Sequence, residues 1–72
     1  MDSDQARAVA KRYLDEELGD GEYIMGTPEL FGGKWGVPVT TTCDTSFVYV
    51  NRFSGELTPS RRMRTIIGAR KG

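Results

Sequence analysis

Apolar side chains in the first part of the chain recur at spacings of three and four residues: Ala6, Val9, Ala10, Tyr13, Leu14 and Leu18. That spacing is typical of a helix with one buried face. Asp2 or Ser3 can cap its first turn with a side-chain oxygen. Gly19 can end it, because glycine adopts the left-handed conformation without a steric penalty. The pattern predicts a helix over residues 3–18.

From residue 22 the pattern changes to the alternation typical of strands. It predicts three strands, over residues 22–31, 34–43 and 46–53. In the third, Val48 and Val50 alternate with Phe47 and Tyr49, so that both faces are partly apolar. We therefore expect the third strand to be central in a sheet that a helix covers on one side.

The connection between the first two strands has the sequence of a tight hairpin. Gly32-Gly33 is typical of a type I′ turn, which needs positive φ at both central positions. This turn places Phe31 opposite Lys34. Pro28 and Pro38 have no N–H for the ladder, so we expect both at edge positions or bulges and an irregular hairpin.

The C-terminal third of the chain contains signals for both a strand and a helix. Residues 56–57 can return as a short fourth strand, and Thr58-Pro59 is typical of a helix N-cap followed by proline. Apolar residues then follow at helical spacing: Met63, Ile66 and Ile67. We predict a short helix over residues 59–67, with a strand as the alternative, and a frayed tail over residues 68–72.

Together these elements predict a single small α+β domain over residues 1–72. Its N-terminal helix packs on a small antiparallel sheet of three to four strands. A chain of this length hides only roughly 60% of the surface that its unfolded form exposes. We therefore expect a thin core.

The composition excludes several kinds of site. With Cys43 as its one cysteine and with no histidine, the chain cannot form an internal disulfide or a Cys/His zinc site. The longest apolar run, residues 47–50, is far short of the ~20 residues that span a bilayer. We expect a cytoplasmic protein with no membrane partner and a half-buried Cys43.

Charge is balanced in total but separated along the chain. Residues 1–32 hold eight acidic and three basic side chains, whereas residues 33–72 hold two acidic and seven basic ones. Such asymmetry can mark a segment that binds an acidic partner. It can equally reflect one half of the molecule facing the other.

The sequence contains no complete catalytic or cofactor motif. The Gly33-Lys34 pair lacks both the first glycine and the final hydroxyl residue of a phosphate-binding loop, and no histidine can activate a nucleophile. The acidic cluster of Asp15, Glu16, Asp20 and Glu22 is typical of a solvated surface. We predict no catalytic, metal or cofactor-binding residue, no cofactor and no enzymatic activity.

Nucleic-acid binding is the alternative function that the sequence offers. Basic residues crowd the C-terminal segment: Arg61, Arg62, Arg64, Arg70 and Lys71. Aromatic residues elsewhere could stack on bases: Phe31, Trp35, Tyr49 and Phe53. A net charge of zero and an acidic first half disfavour this function, because they do not attract phosphate.

The tract VYVNRFSGEL, residues 48–57, resembles a strand and turn found in two families of small domains. One comprises the YrhB-like immunity proteins of bacterial polymorphic toxin systems, and the other is the PepSY domain. An alanine-rich N-terminal helix and a tryptophan that starts a strand occur in the same order. Asn51 and Ser54 stand where aspartate and threonine are usual. The turn also has a structural explanation, since Asn51 can accept backbone hydrogen bonds and Gly55 can supply positive φ.

The resemblance implies one helix on a curved antiparallel sheet and a function by occlusion of a partner. We therefore expect a non-enzymatic protein-binding module, an immunity or inhibitor protein whose partner is a toxin or a peptidase, with a homodimer as the other arrangement. The candidate interaction surface consists of large aromatic and basic side chains: Phe31, Lys34, Trp35, Phe53, Arg61, Arg62 and Arg64.

Overall fold

The computed structural model of this chain describes residues 1–42 and 44–71. Their elements, in chain order, are α1 (Ser3–Glu17), β1 (Tyr23–Met25), β2 (Glu29–Phe31), β3 (Lys34–Thr41), β4 (Thr45–Asn51), β5 (Leu57–Pro59) and α2 (Arg61–Lys71). The α+β class and the N-terminal helix on an antiparallel sheet are confirmed. Cys43 and Gly72 lie outside the described residues, and with them the expectation of a half-buried Cys43.

The described residues form one sheet in which β3 and β4 occupy the centre. β5 pairs with β4, whereas β1 and β2 both pair with the other edge of β3, and every pairing is antiparallel. The sheet therefore has five strands among the residues described here, against the three to four expected. The number rises because the predicted strand over residues 22–31 is divided in two and because β5 forms.

The division of that edge inserts one extra residue. The register pairs Met25 with Val39 before the break and Glu29 with Gly36 after it. Residues 26–28 thus lie opposite only residues 37 and 38. An extra residue on one strand of an antiparallel pair is the defining feature of a bulge. It reverses the face on which all later side chains of that edge lie.

Both prolines of this region lie at the break, as the sequence predicted. Pro28 is in the connecting segment between β1 and β2. Pro38 lies within β3, and its carbonyl accepts the N–H of Gly26 at 2.8 Å. Since the N and the carbonyl of one strand residue point toward the same neighbour, the missing donor of Pro38 faces the interrupted edge, where no regular ladder partner is lost.

The hairpin between β2 and β3 has the predicted register but a different turn. Phe31 pairs with Lys34, which is confirmed. Gly32 has a φ of +58°, whereas Gly33 does not have positive φ. The expected type I′ turn is therefore wrong. Positive φ at the first central residue alone is the feature of a type II′ turn, the other turn that matches strand twist.

The core lies between one face of the sheet and both helices. Side chains from α1, α2 and the central strands form one buried cluster: Ala10, Leu14, Leu18, Val37, Val39, Val48, Met63, Ile66 and Ile67. α1 ends at Glu17, one residue before its predicted end at Leu18. Leu18 still contributes to this cluster. Asp2 caps α1 in a capping box with Gln5, as one of the two predicted caps.

The start of α2 differs from the prediction because Pro59 belongs to β5, where it pairs with Val48. The helix therefore begins at Arg61, and Ser60 takes the capping position. The Ser60 hydroxyl accepts the N–H of Met63 at 3.1 Å and lies 2.7 Å from the hydroxyl of Ser46. Those bonds hold the first turn of α2 against β4.

The end of α2 also corrects the prediction. A helix over residues 59–67 followed by a frayed tail over residues 68–72 is wrong for the described residues, since α2 continues to Lys71. The guanidinium of Arg70 donates to the Leu18 carbonyl at 3.3 Å and lies 3.8 Å from the Glu22 carboxylate. These contacts hold the last turn of α2 against the end of α1.

The turn after β4 explains why that strand ends at Asn51 rather than at residue 53. The Asn51 side-chain oxygen accepts the N–H groups of Phe53 and Ser54 at 2.8 and 3.0 Å. Gly55 completes the turn with a φ of +77°. The predicted structural role of both residues is confirmed. The predicted strand over residues 34–43 likewise ends earlier, at Thr41.

A substitution of Leu14 tests how α1 packs on the core, because this side chain is fully buried. Leu14→Ala is expected to lower the free energy of unfolding by about 2–5 kcal/mol. Arg12→Ala, on the exposed side of the same helix, is expected to change it by less than about 0.5 kcal/mol. Urea unfolding followed by circular dichroism measures both. Similar effects for the two variants would contradict the described packing of α1.

Asn51 tests the turn after β4. Asn51→Ala leaves two N–H groups without their acceptor and is expected to cost about 1 kcal/mol, a low value because water can reach them. Asn51→Asp is expected to retain the stability of the parent chain, since a carboxylate accepts the same two bonds. Urea unfolding of both variants gives the comparison. Equal losses for alanine and aspartate would contradict the role of the side-chain oxygen.

Candidate protein-binding surface

The face of the sheet opposite the two helices is uncovered in the described structure. We call it the open face, and its principal residues are Ile24, Phe31, Lys34, Gly36, Pro38, Phe47 and Tyr49. The side chains of Ile24, Phe31 and Phe47 are 72, 47 and 37% exposed. Alternation along β3 and β4 directs their valines to the core, whereas Pro38, Phe47 and Tyr49 lie on this face.

Gly36 allows the aromatic rings to lie close to the sheet. A Cβ atom at this position would lie 2.6 Å from the ring of Phe31 and 3.5 Å from the ring of Tyr49. The absence of a side chain therefore creates the space into which the Phe31 ring folds. Any larger residue at position 36 would displace that ring, because the first of these distances is far below van der Waals contact.

Tyr49 connects the other members of this face. Its ring is stacked on that of Phe47, with centroids 6.3 Å apart and planes 10° from parallel. The Lys34 ammonium lies 4.6 Å from the centroid of the Tyr49 ring, within the range of a cation–π contact. Phe31, Tyr49 and Phe47 thus form an aromatic layer, and the charge of Lys34 is directed onto it.

The predicted interaction surface is only partly brought together. Phe31 and Lys34 lie side by side on the open face. Trp35 lies on the helix side of the sheet, half-buried, and its indole N–H donates to the Met1 carbonyl at 3.1 Å. Phe53 lies in the turn after β4, where it is 82% exposed.

The three predicted arginines lie elsewhere, on α2. Arg62 pairs with Asp44, beyond the end of β3, at 2.6 Å. The other end of β3 holds Lys34, and eight residues of strand separate the two ends by about 23 Å. Arg70 of α2 contacts Leu18 and Glu22, which follow α1 in the chain. The predicted residues therefore do not form one surface, since Phe31 and Lys34 share the open face and the arginines of α2 lie apart from them.

Five residues of the open face were missing from the predicted surface: Ile24, Gly36, Pro38, Phe47 and Tyr49. The alternation of Phe47 and Tyr49 with two valines already indicated a second apolar face in the third strand. The sequence did not reveal that both helices cover the same side, and this arrangement leaves the second face exposed.

A cluster of polar side chains joins α1 to β1 on another part of the molecule. The Tyr23 hydroxyl donates to the Asp15 carboxylate and lies 3.3 Å from the Lys11 carbonyl oxygen. The Lys11 ammonium lies 2.9 Å from the same carboxylate and 3.7 Å from that of Asp20. The cluster therefore holds β1 against α1 through groups that lie near solvent.

The pKa values of the three side chains in this cluster are shifted away from neutrality, where general acids and bases work best. Burial and the hydrogen bond to Asp15 raise the pKa of Tyr23 to about 12. The hydrogen bonds from Tyr23 and Lys11 hold the pKa of Asp15 below its usual value. The hydrogen bond to Asp15 raises the pKa of Lys11. Each group is thus held more firmly in its ordinary protonation state.

Across residues 1–42 and 44–71, no three histidine, cysteine, aspartate or glutamate side chains are arranged to hold a metal ion. In the same part of the chain, neither helix has the length and apolar character needed to cross a bilayer. No protein-family model, curated protein or solved structure matches the chain. The resemblance to immunity and PepSY domains stays a prediction.

The pKa of Tyr23 predicts a loss of stability in alkali. An unfolded tyrosine ionises near pH 10, whereas Tyr23 in the fold holds its proton to about pH 12. Its contribution to stability is therefore complete below about pH 10 and falls as the pH rises from there toward 12. Tyr23→Phe is expected to lack this part of the pH dependence. Urea unfolding midpoints of both proteins between about pH 8 and 11 test it; parallel pH profiles would contradict it.

Proposed function

We propose that this chain is a non-enzymatic protein-binding module that acts by covering part of a partner protein. The supporting observation is the aromatic layer of the open face, which lies exposed on a side of the sheet that neither helix covers. The resemblance to YrhB-like immunity proteins and PepSY domains supports the same function and makes a toxin or a peptidase the expected partner.

The chemistry of the open face favours a protein as its partner. Contiguous exposed apolar surface on a small protein is typical of an interaction site, and aromatic residues are enriched at the centres of such sites. The rings of Phe31 and Phe47 are already held, one over Gly36 and the other against Tyr49. Little side-chain freedom remains to be lost when a partner binds, which favours affinity.

The partner is expected to bind on the face of the sheet and not along its edges. Strand addition needs a row of unpaired backbone groups on an edge strand. The outer strands β1, β2 and β5 contain three residues each, and the break with Pro28 separates two of them. Lys34 is engaged with Tyr49, and Glu29 lies on the same face opposite Gly36, so this face carries one charge of each sign. A flat and largely uncharged protein surface fits it best.

A paired-variant experiment tests this function. The double variant Phe31→Ser/Phe47→Ser removes the two most accessible rings of the layer. Leu30→Ser is its control, because Leu30 is 46% exposed but pairs with Trp35 on the helix side. Tagged versions of the three proteins are used to isolate bound proteins from the source cells, with quantification by mass spectrometry. A partner retained by the parent and the control is expected to fall about tenfold with the double variant, equivalent to ~1.4 kcal/mol.

The double variant and the control must first give the circular dichroism spectrum of the parent protein. The retained partner is then purified, and its binding to all three versions is measured by calorimetry. Binding that ignores the double variant, or a bound set that is the same for all three, contradicts the proposed function. If the open face instead binds a second copy, the parent alone shows a doubled mass in light scattering, which contradicts the proposed partner.

A further inference from the structure

One side of α2 borders an open groove of about 730 Å³. Residues four apart on the helix form two adjacent rows along it: Arg61, Thr65 and Ala69 in one, and Arg62, Ile66 and Arg70 in the other. Asp44, from the segment between β3 and β4, completes the lining. The volume lies within the range of ordinary ligand sites, about 300–1,000 Å³.

The arginines around this groove are held in different ways. Arg62 is fixed by Asp44 at 2.6 Å, and Arg70 is fixed by the Leu18 carbonyl and by Glu22. No ion pair of the described residues involves Arg61. A guanidinium group has five N–H donors, so these contacts orient Arg62 and Arg70 and leave donors for a ligand. Basic side chains thus stand at both ends of the groove, and Ile66 and Ala69 lie between them.

We infer that this groove binds an acidic peptide segment of a partner, in which carboxylates flank one apolar side chain. The carboxylates pair with Arg61 at one end and Arg70 at the other, and the apolar side chain packs on Ile66 and Ala69. Arginine favours carboxylates because its planar donors match their two oxygens. This site is separate from the open face and does not depend on the function proposed for it.

The composition of the groove favours a peptide over a nucleic acid. None of the described residues that line it is aromatic, so bases have no ring on which to stack. The apolar middle of the groove matches an aliphatic side chain and offers nothing to a sugar–phosphate backbone.

Short synthetic peptides with the pattern acidic–apolar–acidic, carrying leucine or phenylalanine in the middle, test the inference. Nuclear magnetic resonance of the ¹⁵N-labelled chain measures their binding. We expect dissociation constants of about 0.1–1 mM, shifts of the Thr65, Ile66 and Ala69 amides, and weaker binding at higher salt. Replacing the apolar residue of the peptide by glycine is expected to weaken binding at least about fivefold, since that apolar contact is then lost.

Three variants separate the groove from general attraction between charges. Arg61→Ala is expected to weaken binding several-fold. Arg64→Ala, an exposed arginine of the same helix that does not line the groove, is expected to leave it unchanged. Ala69→Lys adds positive charge but fills the groove, and it is expected to abolish binding.

The inference is overturned by any of several results. Stronger peptide binding by Ala69→Lys, or equal binding of the glycine peptide, would show that charge alone is responsible. Single-stranded DNA or RNA that binds the same amides more tightly than the peptides would replace the inferred partner. Absence of binding by every peptide at about 1 mM would leave the groove without its ligand. The double variant Phe31→Ser/Phe47→Ser is expected to keep peptide binding unchanged, because neither residue lines the groove. Failure of one proposal is therefore distinguishable from failure of the other.

Discussion

The structure depends on the burial of two helices against one valine-lined face of a small sheet. Val37 and Val48 pair directly across β3 and β4 and are both fully buried. A chain of this length has few apolar residues to bury. The stripe of α1 and the three apolar residues of α2 both go to this face. Because both helices pack on the same face of the sheet, the opposite face stays uncovered, and it forms the candidate protein-binding surface.

The bulge at residues 26–28 connects the fold to the open face. Met25, before the break, packs against the core cluster, and strict alternation would direct Phe31 to the same side. The extra residue reverses the alternation, so that Phe31 lies outward and its ring closes over Gly36. An irregularity that weakens the edge ladder thereby supplies the first ring of the aromatic layer. It also shortens the edge strands, which discourages strand addition.

The separation of charge along the chain becomes a separation between surfaces. Asp15, near the end of α1, pairs with Lys11 and accepts a hydrogen bond from Tyr23. Arg62 and Arg70 of α2 pair with Asp44 and Glu22. These are exposed pairs, each worth only about 0–1 kcal/mol. They orient Arg62 and Arg70 beside the groove, away from the open face. The chain thus presents two surfaces of different chemistry.

The sequence by itself determined the elements whose physical causes are local. The spacing of Ala10 and Leu14, the cap at Asp2, and the turn chemistry of Asn51 and Gly55 act within a few residues, and all appear as predicted. The tertiary structure alone decided where α2 begins and ends and which side of the sheet each helix covers. Pro59 pairs with Val48 as part of β5, so α2 begins two residues later than predicted, at Arg61. At its other end, α2 continues beyond residue 67, where it was predicted to end, and Arg70 contacts Leu18. The open face could not be predicted, because its exposure depends on which face of the sheet the two helices cover. That depends on packing between residues distant in the sequence, which local patterns do not indicate.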